Sequence, residues 1–136
     1  MKTLVDACIW SLAFRRTPET LNPQERGYVD PWKELVLNGD AVLIGPIRQE
    51  VLSGIRLEAD FEGLREVLLA FEEIPIRADD YDTGARFFNR CRSKGLAGTH
   101  VDMLICAVAY RANLPILTAD SDFSRYAEHL PIRLVR

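Results

Sequence analysis

Apolar positions along the chain follow two alternating rhythms. Short runs rich in β-branched and aliphatic residues, bounded by Pro, Gly or Asp, occupy residues 3–5, 41–44, 74–76, 116–118 and 132–135. Each reads as a strand. Between them, apolar residues recur at the spacing of one helical face. Residues 46–55 open with Pro46 at a favoured first helical position, and 61–71 carry Phe61, Leu64, Leu68 and Phe71 on one stripe. Residues 79–94 repeat the pattern with Tyr81, Ala85 and Phe88; 101–112 are apolar enough for a largely buried helix that Pro115 ends. Earlier, 9–14 and 31–37 look helical, with a polar stretch at 15–30 that contains Pro18 and Pro23. Strands alternating with helices of this length predict right-handed βαβ units. The expected fold class is therefore α/β, a three-layer sandwich with a mainly parallel five-stranded sheet between helices.

A chain of 136 residues without repeats, low-complexity tracts or composition shifts is expected to form one domain over 1–136. Its 48% hydrophobic and 27% charged residues are those of an ordinary globular protein. The longest apolar run, 103–110, is far shorter than the roughly 20 residues of a membrane span. Asp6 interrupts the N-terminal apolar stretch and no small-residue cleavage site follows, so a cytoplasmic location without membrane contact is expected. Cys8, Cys91 and Cys106 form no C-x-x-C pair and are odd in number, which fits reduced, mostly buried thiols. The net charge of −3 argues against a globally basic nucleic-acid-binding surface.

In open α/β sheets, ligands sit beyond the carboxyl ends of strands, and several acids fall there. The first strand ends at Asp6. The fourth runs through Thr118 and Ala119 into Asp120, Ser121 and Asp122. Glu50 and Asp102 lie in the first turns of helices that follow Gly-containing loops. Taken singly, each has a structural role open to it. Asp6 suits a helix N-cap, Glu50 a solvated first turn, Asp102 a capping box with Thr99, and one of Asp120 and Asp122 a turn. Taken together, converging carboxylates raise one another's pKa, and a divalent cation resolves that conflict. The donors are hard oxygens with no Cys/His set at zinc spacing, which favours Mg²⁺ or Mn²⁺. Such an ion joins an acidic crevice to a phosphate and activates water, so a nuclease acting through Asp6, Glu50, Asp102, Asp120, Asp122 and Thr118 is the sharpest reading.

Those motifs are Val5-Asp6 with Trp10 behind it, Glu50 in an Arg-x-Glu-Val-Leu-x-Gly context, Asp102 opening an apolar helix, and the 117–123 segment around Thr118, Asp120 and Asp122. In this order they resemble a VapC-type PIN domain, the toxin of a type II toxin–antitoxin (VapBC) pair. The resemblance spans essentially the whole chain. It implies a homodimer, a Mg²⁺ or Mn²⁺ pocket lined by Asp6, Glu50, Asp102, Asp120 and Asp122, cleavage of RNA such as tRNA or rRNA, and a cognate VapB-type antitoxin. Asp6, Glu50 and Asp102 match the family's acidic positions, and Asp120 and Asp122 both lie in its fourth motif with Thr118; many relatives carry Asn at Asp120, which favours Asp122 as the acidic position, while Asp120 stands nearer the strand exit as a ligand. The chain departs from the pattern at Val101, where relatives often carry a polar residue, and in the long 15–30 segment.

Arg86, Arg90, Arg92 and Lys94 form either a phosphate-binding face or a solvated one, His100 and His129 read as surface or capping residues, and Trp10 and Trp32 as core or interface residues. Three other functions are weighed. A haloacid-dehalogenase-like phosphatase requires Asp where Cys8 stands. A receiver domain requires an early acidic pair and a late Lys that are both missing. A catalytically silent PIN-like module that binds RNA or a partner protein remains as the alternative of a different class.

Overall fold

A computed structural model describes residues 1–135. Strands β1 (Thr3–Val5), β2 (Ala41–Leu43), β3 (Glu72–Glu73) and β4 (Ile116–Leu117) form a parallel sheet in the order β3-β2-β1-β4. The helices are α1 (Ala7–Arg15), α2 (Pro23–Leu37), α3 (Gly45–Leu52), α4 (Glu58–Leu69), α5 (Ala78–Ser93), α6 (His100–Ala112) and α7 (Asp122–Tyr126), with a 3₁₀ turn at Pro18–Thr20. β1 and β2 are buried along their whole lengths, as a parallel sheet covered on both faces requires. One continuous core joins Leu4, Val5, Val42 and Ile116 of the sheet to Ile9 and Trp10 of α1, Ile47 and Val51 of α3, and Met103, Ile105, Cys106 and Val108 of α6. α5 and α6 pack as a helical hairpin on this core.

The expected fifth strand is much reduced. Among the described residues, the 132–135 segment meets the sheet at one parallel bridge between Leu134 and Ile116, backed by Ile116 N–H donating to Arg133 and Val135 N–H donating to Ile116. It still lies beside β4. The third strand falls two residues earlier than the apolar pattern predicts, at Glu72–Glu73, and Ile74 N–H adds a bond of 2.8 Å to Leu43. Pro75 has no N–H to continue the ladder.

The polar stretch after α1 is more ordered than its composition suggests. Asn22 caps α2 in a reciprocal box with Glu25, at 2.8 and 2.9 Å, with Pro23 at the first helical position. The helix then runs through Pro31 to Leu37, although an interior proline removes a backbone bond. Its aromatic payload explains part of that tolerance. Trp32 joins Trp10, Phe14 and Phe71 in a cluster with ring centroids 4.8 to 5.9 Å apart. Both tryptophans thus serve packing, as the sequence suggests, but with aromatic neighbours that only the fold brings to them.

Candidate active site

The sheet order places the topological switch between β1 and β4: the chain runs outward from β1 to β2 and β3, then returns to add β4 on the other side. Crevices open at such a switch beyond the carboxyl ends of the two strands. Asp6 leaves β1 there, and Thr118, Ala119 and Asp120 leave β4.

Asp6 is held by both of its oxygens. Ala7 N–H donates to Oδ1 at 2.8 Å, making Asp6 the N-cap of α1, and the Thr118 hydroxyl donates to Oδ2 at 2.8 Å. The cap therefore leaves the second carboxylate oxygen turned to the β4 exit. Thr118 Oγ1 also accepts Asp120 N–H at 3.0 Å, and Asp120 Oδ1 accepts Asp122 N–H at 2.9 Å, so one relay of bonds shapes the β4 exit. Cys8 Sγ lies 3.7 Å from both Asp6 Oδ2 and Thr118 Oγ1 and accepts Ala119 N–H, tying the two strand exits together.

Asp102 approaches from α6. Thr99 caps that helix by accepting Asp102 N–H at 3.0 Å, while the Asp102 carboxylate accepts the Tyr126 hydroxyl at 2.9 Å. The Thr99–Asp102 pair is thus one-sided, and the side chain is left to face the crevice. Tyr126 belongs to α7, a five-residue helix absent from the sequence-level reading, and its buried ring packs edge-on against Phe123. The apolar Phe123 and Tyr126 three residues apart were the available signal. Glu50 stands exposed on α3.

The electrostatics mark these groups as one set. Burial pushes the Asp6 carboxyl above its ordinary value against the pull of Thr118 and Ala7, and Asp120 pushes it further. Asp102 is raised by burial, opposed by its bonds from Tyr126 and Thr99, and raised again by Asp6 and Asp120. Glu50 is raised by partial desolvation, then by Asp6 and Asp102. Among the described residues, none of Asp6, Glu50, Asp102 or Asp120 is ion-paired to a basic side chain. Asp122 differs: its carboxylate turns to Arg125 one helical turn on. The fold therefore joins Asp6, Thr118 and Asp120 at the paired strand exits, puts Asp102 and Glu50 within electrostatic reach of Asp6, and directs the Asp122 side chain to a cation of its own.

A family model described as PIN domain matches residues 3–129. The chain belongs to the PIN domain family. Solved structures similar to this PIN domain include VapBC2 from Rickettsia felis bound to a DNA fragment from their promoter, with 18% identity, a TM-score of 0.75, and coverage of 99% of this chain and 98% of that one. FitAcB from Neisseria gonorrhoeae matches with 19% identity and a TM-score of 0.71, covering 98% of this chain and 96% of that one. FitAB bound to an IR36 DNA fragment matches at 18% and 0.70, covering 98% and 93%. At these identities the likeness is one of fold. Comparison with curated protein sequences finds no match. Among the described residues, no helix of this PIN domain is long and apolar enough to cross a membrane.

Whether the crevice suits a divalent ion is a question of donors and charge. Among the described residues, no three Asp, Glu, His or Cys side chains stand close enough to hold an ion as they are placed. The donor set nevertheless fits in kind: its members are carboxylates, they raise one another's pKa, and no basic side chain balances them.

Proposed function

We propose that this PIN domain is a metal-dependent endoribonuclease, the VapC-type toxin of a type II toxin–antitoxin pair. The observation that carries the reading is the group of carboxylates at the β1/β4 switch point, raised chiefly by burial and further by one another, with no basic side chain paired to them among the described residues. Asp6, Asp102 and Asp120 would hold Mg²⁺ or Mn²⁺, with Glu50 beside them. Bound there, the ion would supply a water acidified for attack and a positive charge for the phosphodiester.

The chain's own residues account for the rest. Thr118 orients Asp6 and spaces it from Asp120 through the relay at the β4 exit. Tyr126 fixes the rotamer of Asp102, and its hydroxyl keeps its proton because burial and Asp102 both raise its pKa. Glu50, exposed and with a raised pKa, would serve as the proton acceptor of the set. Asp122 shapes the turn through its backbone and restrains Arg125.

A cognate VapB-type antitoxin is part of the proposal. Two of the similar structures are complexes bound to DNA, one to a fragment of its own promoter, which supports a paired system for this chain. An RNA substrate, a homodimer and a cytoplasmic location complete it, together with one catalytic domain over 1–136.

The test is cleavage of labelled tRNA and rRNA fragments by purified, antitoxin-free protein in Mg²⁺ or Mn²⁺, with EDTA and Asp6→Asn as controls. Cutting that requires both the metal and Asp6 is the expected result. Folded protein that binds metal and cuts no RNA would leave a silent RNA- or protein-binding PIN module.

A further inference from the structure

Beside the carboxylates lies a cavity of about 260 Å³ that the mechanism above does not use. Thr118 and Asp120 line it, the same two residues that shape the β4 exit. The rest of its lining includes Tyr28 from α2, Ser121 and Ser124 at the start of α7, and Leu134 from the segment bridged to β4. The cavity thus draws on both the site and the long early segment in which the chain departs from its family pattern.

We propose that this cavity is a nucleobase subsite: the base of a nucleotide flanking the scissile phosphate stacks on Tyr28 and is read by the hydroxyls of Ser121 and Ser124. The proposal rests on the nuclease reading of the adjoining carboxylates. Three features support it. Volume comes first, since about 260 Å³ is a little under the roughly 300 Å³ at which pockets for drug-sized ligands begin. That is room for one planar heterocycle.

The second is chemistry. Sequence-selective recognition of RNA works on unpaired bases, which stack on aromatic side chains while polar groups bond to their edges. Tyr28 supplies a ring to stack on and Leu134 an apolar wall; each serine hydroxyl both donates and accepts. The third is charge. A chain with net charge −3 gains little from phosphate attraction, so stacking must supply a larger share of its affinity. A partner protein's side chain is the competing occupant. The aromatic wall and neutral hydroxyls favour a base over a cationic side chain, for which the neighbouring carboxylates would be the stronger attraction.

The test uses the whole chain, free of metal, titrated with adenosine, cytidine, guanosine and uridine and followed by NMR. Nucleosides carry no phosphate, so binding is separated from the metal and from cleavage. At least one is expected to shift the resonances of Tyr28, Ser121, Ser124 and Leu134, with affinities ranked by base. Tyr28→Ala removes the stacking wall, and Ser124→Trp, at an exposed position, fills the cavity without touching the core. Each should weaken binding about tenfold, within the range of losing one base stack. In cleavage of RNA randomised around the cut, Ser124→Trp should flatten the base preference at one position and raise KM more than it lowers kcat.

No shift at these residues with any nucleoside, or shifts unchanged in both variants, would overturn the subsite. So would displacement of these resonances only by an Arg-bearing peptide. Nucleoside binding without RNA cleavage would sink the nuclease reading and leave the cavity standing as a base-binding site; cleavage whose base preference ignores both variants would do the reverse.

Discussion

Two buried aspartates in this molecule have opposite surroundings. Asp80, 1% exposed, lies between α5 and α6, where Arg111 grips it with two bonds of 2.7 and 2.9 Å and Arg77 N–H adds a third. Arg111 itself is tied to the carbonyl of Pro75. Asp6, 9% exposed, has a hydroxyl and a backbone N–H but no cation. Accordingly Asp80 is held below the ordinary carboxylate range, chiefly by Arg111, whereas burial leaves Asp6 above it. A carboxylate that builds the fold carries its counter-charge with it. Asp6, which the proposed function assigns to chemistry, has no such counter-charge, and its neighbours Glu50 and Asp102 share the raised pKa.

The largest expected effect breaks the Asp6 side. Asp6→Asn keeps the shape and the bond from Ala7 N–H, reverses the one with Thr118, whose hydroxyl would have to accept from the amide, and removes the charge; RNA cleavage should fall by roughly 10²- to 10³-fold, the scale of losing one key electrostatic group. Its stability without metal should hold or rise, which denaturant titration of the same sample would check. A loss of both together would mean that Asp6 is structural like Asp80.

Breaking the other side should invert the pattern. Arg111→Met strands Asp80 as a buried, unpaired charge and should cost about 3 kcal/mol in a urea titration, while cleavage per folded molecule stays within a few-fold of the parent. A loss of activity without a loss of stability would overturn the contrast.

The two aspartates also differ in how pH acts on them. Folded pKa values of Asp6, Asp102 and Glu50 lie above their unfolded values, so the folded state binds more protons there. Metal-free protein should therefore lose stability as pH rises through those raised values. Asp80 works the other way: its contribution is present above the ordinary range and lost as pH falls through its lowered value. Stability measured from pH 7 downward should first rise, with Asp6 and Asp102 contributing more than the exposed Glu50, and then fall. Saturating Mn²⁺ should abolish the first rise.

The smallest effect separates the two acids of the β4 exit. Asp122 is paired to Arg125 on the surface, so Asp122→Asn should cost under about 1 kcal/mol and change cleavage only a few-fold, whereas Asp120→Asn should approach Asp6→Asn. Equal losses would return Asp122 to the site.

Why some of this was legible in the sequence and some was not follows from the range of the interactions involved. Strand exits such as Asp6 and Thr118 are marked by local apolar runs and their punctuation, so the acids at the switch point could be read directly. The Asn22–Glu25 capping box was equally local, yet the two prolines and polar composition of 15–30 masked it. By contrast, Tyr126 reaching Asp102, or Asp122 turning to Arg125, depends on the path of a short helix over the crevice, which no periodicity encodes. The fifth strand failed for a related reason: alternation in 132–135 marks β-forming residues but cannot say how many of them pair.

The most direct test of the central claim, that the carboxylates around Asp6 lack a positive charge which a divalent ion supplies, is calorimetric titration of metal-free protein with Mn²⁺. Saturable binding that is lost in Asp6→Asn and retained in Arg111→Met is the predicted result. Binding unaffected by Asp6→Asn, or no binding by folded protein, would contradict it.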